Sequence, residues 1–104
     1  MPDPDLVFVC ELRDIPAGEA RAFDVEGYSL AIFNTGEEVL AIDKACPHMG
    51  TSLAEGEMSG STVCCREHGW VIDLRDGDAM GRNWAQAATY PIEVRDEKIY
   101  VQLG

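Results

Sequence analysis

Apolar and polar residues alternate in short runs along both ends of the chain, a pattern that predicts β-strands rather than helices. The predicted strands cover residues 6–12, 22–26, 28–34, 38–43, 89–95 and 98–103. Gly27 predicts a hairpin turn between the second and third strands, and Asn34-Thr35-Gly36 predicts a turn before the fourth. Many short strands at this spacing indicate an all-β sandwich or small barrel with antiparallel neighbours.

The middle of the chain has a different composition. From residue 45 to about residue 84 it is rich in Gly, Ser, Cys and Met, and only residues 63–65 and 71–74 are strand candidates. Asp76-Gly77 marks a turn after the second candidate. A length of 104 residues suits one domain. We therefore predict a single domain, residues 1–104, with a segment of about 45–84 inserted into a basal β-domain of about 1–44 and 85–104.

Two short boxes in the inserted segment place a cysteine close to a histidine. The first is Cys46-Pro47-His48, the second is Cys65-Arg66-Glu67-His68, and 16 residues separate His48 from Cys65. Together they use both histidines of the chain. Thiolate and imidazole in combination suit zinc, or iron with inorganic sulfide. The boxes are therefore the candidate metal ligands.

Three interpretations of the boxes are open from the residues alone. All four side chains could close one tetrahedral zinc site, they could hold a two-iron cluster with two cysteines on one iron and two histidines on the other, or they could be unrelated. Zinc sites usually group like ligands, whereas each box here mixes the two types. A mixed box lets both loops contribute to both irons, which favours the cluster.

The sequence around the boxes resembles the Rieske [2Fe-2S] proteins. The resemblance rests on Cys46-Pro47-His48-Met49-Gly50, on Leu53, Gly56 and Gly60, on Cys65-Arg66-Glu67-His68-Gly69-Trp70, and on Asp73-Leu74-Arg75-Asp76-Gly77. It implies a Rieske-type antiparallel β-sandwich or barrel, with a cluster-binding subdomain inserted between strands. It also implies one [2Fe-2S] cluster with two Cys and two His ligands.

The resemblance assigns a role to each ligand. Cys46 and Cys65 are expected on the inner iron, and His48 and His68 on the outer iron, through whose imidazole edge electrons leave. Thr51 and Glu67 stand where the respiratory branch of the family has a disulfide, so the chain is similar to the soluble, low-potential branch. We expect a potential of about −150 mV. Arg66 departs from the family, which often has proline there.

Charge and composition limit the partners. The chain has 8 basic and 19 acidic residues, a formal net charge of −11, which disfavours nucleic acid and anionic lipid and favours a partner with a basic patch. The amino-terminal residues have no signal-peptide pattern, and no apolar run approaches the roughly 18 residues of a membrane span. We predict a cytoplasmic protein with no nucleic-acid or membrane partner.

The resemblance implies a one-electron carrier: a Rieske ferredoxin between an NAD(P)H-dependent flavin reductase and the terminal oxygenase of an aromatic-ring-hydroxylating system. We expect no catalytic residues, because the boxes leave no histidine for a mononuclear iron site and no Gly-rich nucleotide motif follows a strand. Two alternatives are the small Rieske subunit of an assimilatory nitrite reductase and a zinc-stabilised structural module.

Four residues outside the ligand set carry separate expectations. Cys10 and Cys64 are predicted to be small buried side chains. Trp70 is predicted either to dock a partner or to pack locally. Gly69, directly after a ligand, is expected to direct its amide towards the sulfide, with an ordinary loop turn as the alternative.

Overall fold

The computed structural model describes residues 6–44, 52–65, 69–79 and 82–103, with residues 82–86 described by backbone alone. The strands within these ranges are β1 Leu6–Glu11, β2 Glu19–Val25, β3 Tyr28–Asn34, β4 Val39–Asp43, β5 Glu57–Ser59, β6 Thr62–Cys64, β7 Val71–Asp73, β8 Asp78–Ala79, β9 Arg82–Gln86, β10 Thr89–Tyr90, β11 Ile92–Arg95 and β12 Lys98–Gln102. Two short 3-10 helices, Leu12–Asp14 and Leu53–Glu55, complete the described elements. The predicted all-β class is confirmed.

The strands form three antiparallel sheets. The terminal sheet has the order β1-β12-β11, the central sheet β10-β4-β3-β2, and the inserted sheet β5-β6-β7-β8-β9. Every strand of the inserted sheet lies in sequence between β4 and β10, which are neighbours in the central sheet. The chain therefore leaves the central sheet after β4, builds a sheet of its own, and returns beside the strand it left.

The central sheet is buried on both of its faces, as β3 shows most clearly. Leu30 and Ile32 point towards the terminal sheet and pack with Ile99 and Val101. The residues between and after them belong to the other core, which includes Ala31, Phe33, Ile42, Leu53, Val63, Cys65, Trp70 and Ile72. Successive side chains of a strand point to opposite faces. This explains why residues 30–33 form an uninterrupted apolar run.

The carboxyl-terminal strand prediction is wrong in one respect. Residues 89–95 are not one strand, because the chain breaks at Pro91 into β10 of the central sheet and β11 of the terminal sheet. Proline has no N–H to give to a ladder, so the chain changes sheets at this residue. The turn that follows β11 is tight, with positive φ at both Asp96 and Glu97, which is typical of a two-residue hairpin turn.

The inserted segment contains more strand than its sequence predicts. The expected strands at 63–65 and 71–74 appear as β6 and β7, each shifted or shortened by one residue. Three further strands, β5, β8 and β9, flank them. The part of the chain that the structure describes contains no helix with the length and apolarity that a membrane crossing would require.

Candidate metal centre

One of the four predicted ligands, Cys65, lies in the described part of the chain. The other three, Cys46, His48 and His68, lie outside the described residues. The structure therefore describes the flanks of the two ligand-bearing loops, which are the segments between Lys44 and Leu53 and between Cys65 and Gly69. These flanks show how the fold holds the two loops.

The first loop is closed at its base by backbone hydrogen bonds. Lys44 donates its N–H to Ser29 O at 3.0 Å, which continues the ladder between β3 and β4 by one residue. The carbonyl of Lys44 accepts the N–H of Leu53 at 2.7 Å. Leu53 itself is fully buried. The loop thus starts on a strand of the central sheet and ends on a residue of the core.

The second loop is closed in a similar way. Cys65 donates its N–H to Trp70 O at 2.6 Å, and its carbonyl accepts the N–H of Gly69 at 3.0 Å. Gly69 has a φ of +71°, a conformation that costs glycine little. Its amide is engaged within the turn, so the expectation that it points towards a sulfide is wrong.

A close approach at Gly56 brings the flanks of the two loops together. A Cβ at this position would lie 2.5 Å from Cys64 O and 2.8 Å from Val63 Cγ2. Gly56 follows the 3-10 helix that ends the first loop, whereas Val63 and Cys64 precede the second loop. The backbone at Gly56 can approach Val63 and Cys64 this closely only because glycine has no side chain. The first loop therefore returns directly against the strand that leads to Cys65.

The two adjacent cysteines differ in environment. Cys65 is 1% exposed and packs with Leu53 and Trp70 in the same core. Cys64 is only partly buried, and its Sγ lies 3.8 Å from Cys65 O. Neighbouring side chains of an extended segment point to opposite faces, so only one of them can face the core. Cys64 is thus more exposed than predicted, whereas the prediction that Cys10 is buried is confirmed at 8% exposure.

Trp70 packs inside the protein. Its exposure is 6%, and it belongs to the core that contains Cys65. The docking alternative predicted for this residue is therefore wrong, and local packing is what the structure shows. A buried indole beside a ligand-bearing cysteine keeps water away from the thiol.

A surface cavity lies beside the second loop. It has a volume of about 420 Å³ and is lined by Glu55, Gly56, Glu57, Cys64, Cys65 and Gly69. Two carboxylates and two cysteines thus border one opening.

The one predicted ligand among the described residues, the thiol of Cys65, has the chemistry that a metal cluster needs. A buried thiol stands at the start of a short closed loop, and the other cysteine-bearing loop is closed on the same apolar core. Metal ligation needs such a thiol as thiolate, and an apolar shell around it controls solvent access and potential. Two loops anchored on one core can present ligands to one cluster.

Sequence reasoning missed two side-chain contacts at the ends of β4, one within the central sheet and one from the inserted segment to it. The hydroxyl of Tyr90 donates to Asp43 Oδ1 at 2.6 Å, and Arg75 Nη2 lies 2.6 Å from Glu38 Oε2. Burial and the hydrogen bond to Asp43 raise the pKa of Tyr90 to about 12. The paired residues are 47 and 37 positions apart, so no local pattern reveals them.

Known proteins resemble the chain over nearly its whole length. The 3-phenylpropionate/cinnamic acid dioxygenase ferredoxin subunit of Shigella boydii serotype 4 is 32% identical over 99 residues, covering 93% of this chain and 92% of that protein. The ferredoxin of carbazole 1,9a-dioxygenase from Nocardioides aromaticivorans IC177 has a TM-score of 0.85 at 27% identity, covering 95% and 98% of the two chains. These relatives confirm the predicted resemblance to Rieske ferredoxins.

Two further solved structures resemble the chain. A chain from the complex of reduced oxygenase and oxidized ferredoxin in carbazole 1,9a-dioxygenase gives a TM-score of 0.84 at 25% identity, covering 96% of this chain and 94% of that one. A nitrite reductase (NADPH) small-subunit protein gives 0.84 at 18%, covering 94% and 98%, and shows the fold alone. The Rieske [2Fe-2S] domain family matches residues 5–91. With this match, with Cys65 buried at the base of its loop and with both loops closed on one core, the chain belongs to the Rieske [2Fe-2S] family.

Proposed function

We propose that the chain is a one-electron carrier, a ferredoxin that delivers electrons to the terminal oxygenase of an aromatic-ring-hydroxylating system. The observation that carries the proposal is the match, over 93% of the chain, to a dioxygenase ferredoxin subunit. A solved relative comes from a complex of an oxygenase with its ferredoxin. The chain itself has no catalytic residue under this proposal.

The proposed ligands are Cys46 and Cys65 for one iron and His48 and His68 for the other. Support for Cys65 is its burial and its position at the start of a closed loop. Support for the other three is the family membership and the spacing of the boxes. When bound, a cluster with mixed Cys and His ligands takes up and releases one electron.

The described side chains have a supporting part in this function. Leu53, Cys65 and Trp70 are buried in one core, so they exclude water from the cysteine side of the centre. Hydrogen bonds from Leu53 N to Lys44 O and from Cys65 N to Trp70 O hold the two loop bases. Fixed loop bases limit how far the ligands move when the charge of the centre changes, and a small movement favours fast electron transfer.

The proposed partners are a flavin-dependent ferredoxin reductase and a terminal oxygenase. The net charge of −11 supports docking to basic surfaces on both, because complementary charge speeds diffusional encounter and orients the partners. The same negative charge disfavours nucleic acid as a partner, because it repels the phosphate backbone. The cytoplasmic location and the division into a basal part, about 1–44 and 85–104, and a cluster-binding part, about 45–84, belong to this proposal.

The nitrite reductase alternative shares the fold at 18% identity, whereas the 32% relative is a dioxygenase ferredoxin subunit. The zinc alternative differs in a simple observable, because zinc protein is colourless and contains no acid-labile sulfide. Iron and sulfide analysis with EPR of the dithionite-reduced protein separates the two kinds of centre. We expect about equal iron and sulfide and a mixed-ligand signal.

The decisive comparison uses the two adjacent cysteines. Cys65→Ser should remove the cluster absorbance, whereas Cys64→Ser should keep it, because Cys64 points away from the core that holds Cys65. Reduction of the purified protein by NADH with a ferredoxin reductase, followed by oxidation by a ring-hydroxylating oxygenase, then tests the carrier function. A colourless wild-type protein, or cluster loss in both variants, would contradict the ligand assignment.

A further inference from the structure

Asp43 links the two places where the chain crosses between the central and inserted sheets. It is the last residue of β4, where the chain leaves the central sheet, and Ala88 and Tyr90 lie where the chain returns. The N–H of Asp43 donates to Ala88 O at 2.9 Å. Its carboxylate accepts the hydroxyl of Tyr90 at Oδ1, 2.6 Å away, and the N–H of Ala88 at Oδ2, 3.3 Å away.

Asp43 directly precedes the base of the first ligand-bearing loop, so its contacts can influence that loop. The next residue, Lys44, bonds on one side to Ser29 O and on the other to the N–H of Leu53. These bonds form the base of the first ligand-bearing loop, on which Cys46 and His48 lie in sequence. A change in the backbone at Asp43 is therefore passed directly to the base of that loop.

The pairing between β4 and β10 is too short to fix the end of β4 firmly by itself. β10 has two residues, with Thr89 opposite Ile42 and Tyr90 opposite Ala41. One further backbone bond, from Asp43 to Ala88, extends this short ladder. The carboxylate of Asp43 supplies the remaining contacts, and both of its oxygens are used.

The hydroxyl of Tyr90 makes the shorter of the two contacts to that carboxylate. An O–H donor to an ionised oxygen at about 2.6 Å is among the stronger hydrogen bonds in proteins. The ring of Tyr90 is also oriented by Tyr28, with centroids 5.8 Å apart and planes at 76°. Edge-to-face packing of this kind restricts the ring and therefore directs its hydroxyl.

We propose that Tyr90 is a positioning residue for the cluster: through the carboxylate of Asp43, its hydroxyl fixes the base of the first ligand-bearing loop. The inference rests on the proposed function, since it requires that this loop hold cluster ligands. Without the hydroxyl the carboxylate keeps only its longer bond to the N–H of Ala88, and the loop base loosens on the side of the central sheet. Water then reaches the centre more readily and favours the reduced state, which carries more negative charge.

The test compares two Tyr→Phe variants of the cluster-loaded protein. Tyr90→Phe keeps the ring and its packing on Tyr28 but removes the hydroxyl. Tyr100→Phe is the matched control, because Tyr100 stacks edge-to-face on Phe8 in the terminal sheet at the same centroid distance of 5.8 Å. Circular dichroism verifies the fold, and the readouts are the midpoint potential, the EPR g values and the rate of cluster loss.

We expect Tyr90→Phe to raise the midpoint potential, shift the g values and lose its cluster several-fold faster, while Tyr100→Phe matches wild type. Asp43→Glu moves the carboxylate without changing its charge and should reproduce the shift in g values. Wild-type potential and g values in Tyr90→Phe would overturn the inference, even if its unfolding temperature fell, because that residue would then be merely structural. A wild-type protein without a cluster would instead contradict the proposed function.

Discussion

Arg75 binds Glu38 with two of its nitrogens on a single carboxylate oxygen. Nε lies 2.8 Å and Nη2 2.6 Å from Glu38 Oε2. Arg75 follows β7 of the inserted sheet, and Glu38 directly precedes β4 of the central sheet. The hydrogen bond to Glu38, followed by its charge, raises the pKa of Arg75. This pair therefore joins the inserted sheet to the start of one central strand, whereas Asp43 at the end of the same strand bonds to Tyr90 within the central sheet.

The first prediction concerns this ion pair. Both side chains are accessible, with 60% of Arg75 and 36% of Glu38 exposed, so salt should screen their attraction. Arg75→Ala should lower the unfolding temperature slightly at low salt, and the difference from wild type should shrink at high salt. Arg13→Ala is the control, because Arg13 pairs with Glu11 two residues away and joins no separate sheets. A salt-independent loss would show that packing of the arginine, rather than charge, is responsible.

The second prediction compares two fully buried leucines. Leu53 lies in the core shared with Cys65, and Leu30 lies in the core shared with the terminal sheet. Replacing either by alanine should cost about 2–5 kcal/mol of unfolding free energy, because a cavity remains. Only Leu53→Ala should also speed loss of the cluster, since Leu53 closes the first ligand-bearing loop.

Denaturant unfolding and the decay of visible absorbance measure the two effects on these leucine variants. Equal rates of cluster loss in the two variants, at equal stability, would contradict the coupling between this core and the loop base.

The third prediction concerns two glycines with similar backbone conformations. Gly77 and Gly18 have φ of +79° and +85°. Alanine at either position should cost about 1–2 kcal/mol for the left-handed conformation. At Gly77 a Cβ would also overlap Ala87 O, whereas at Gly18 it meets nothing within 4 Å.

Gly77→Ala should therefore be less stable than Gly18→Ala by a further amount of about 1–3 kcal/mol, the cost of overpacking. Thermal unfolding of the two variants measures the difference. Equal losses would mean that the segment around Ala87 moves away without cost.

The sequence predicts the central and terminal strands well because their physical causes are local. Residues 30–33 alternate between two buried faces, and the turns on either side of their strand contain Gly27 and Gly36. The strands of the inserted sheet are harder to predict from the sequence, because strands such as β8, with two residues, are too short to show an alternation of apolar and polar residues. Pro91 carries a local signal for the change of sheet, but the strand-like residues on both sides of it can be taken for one strand.

The candidate centre was predictable in a different way. Its ligands stand in two boxes that can be read from the sequence, and the burial of Cys65 agrees with the assignment; Cys46, His48 and His68 stay predictions. The supports of the loops were not predictable. The contact between Asp43 and Tyr90, like the approach of Gly56 to Cys64, depends on the tertiary fold. The burial of Trp70 is likewise set by tertiary packing.

The last prediction is a dependence of stability on alkaline pH. Burial, then the hydrogen bond and charge of Asp43, raise the pKa of Tyr90 from its ordinary value of 10.0 to about 12. A raised pKa means that the folded state holds the proton more tightly than the unfolded state. The resulting stabilisation is complete below pH 10.0 and is lost as the pH rises through about 12.

Tyr90→Phe has no such proton, so its difference in unfolding free energy from wild type should be constant below pH 10.0 and decrease towards pH 12. The buried thiol of Cys10, with a pKa raised to about 11, titrates in the same range. It is present in both proteins and cancels from the difference. Denaturant unfolding of the two proteins across this range makes the measurement, with Tyr100→Phe as the control. A difference that stays constant to pH 12 would show that the phenol of Tyr90 does not hold its proton against Asp43.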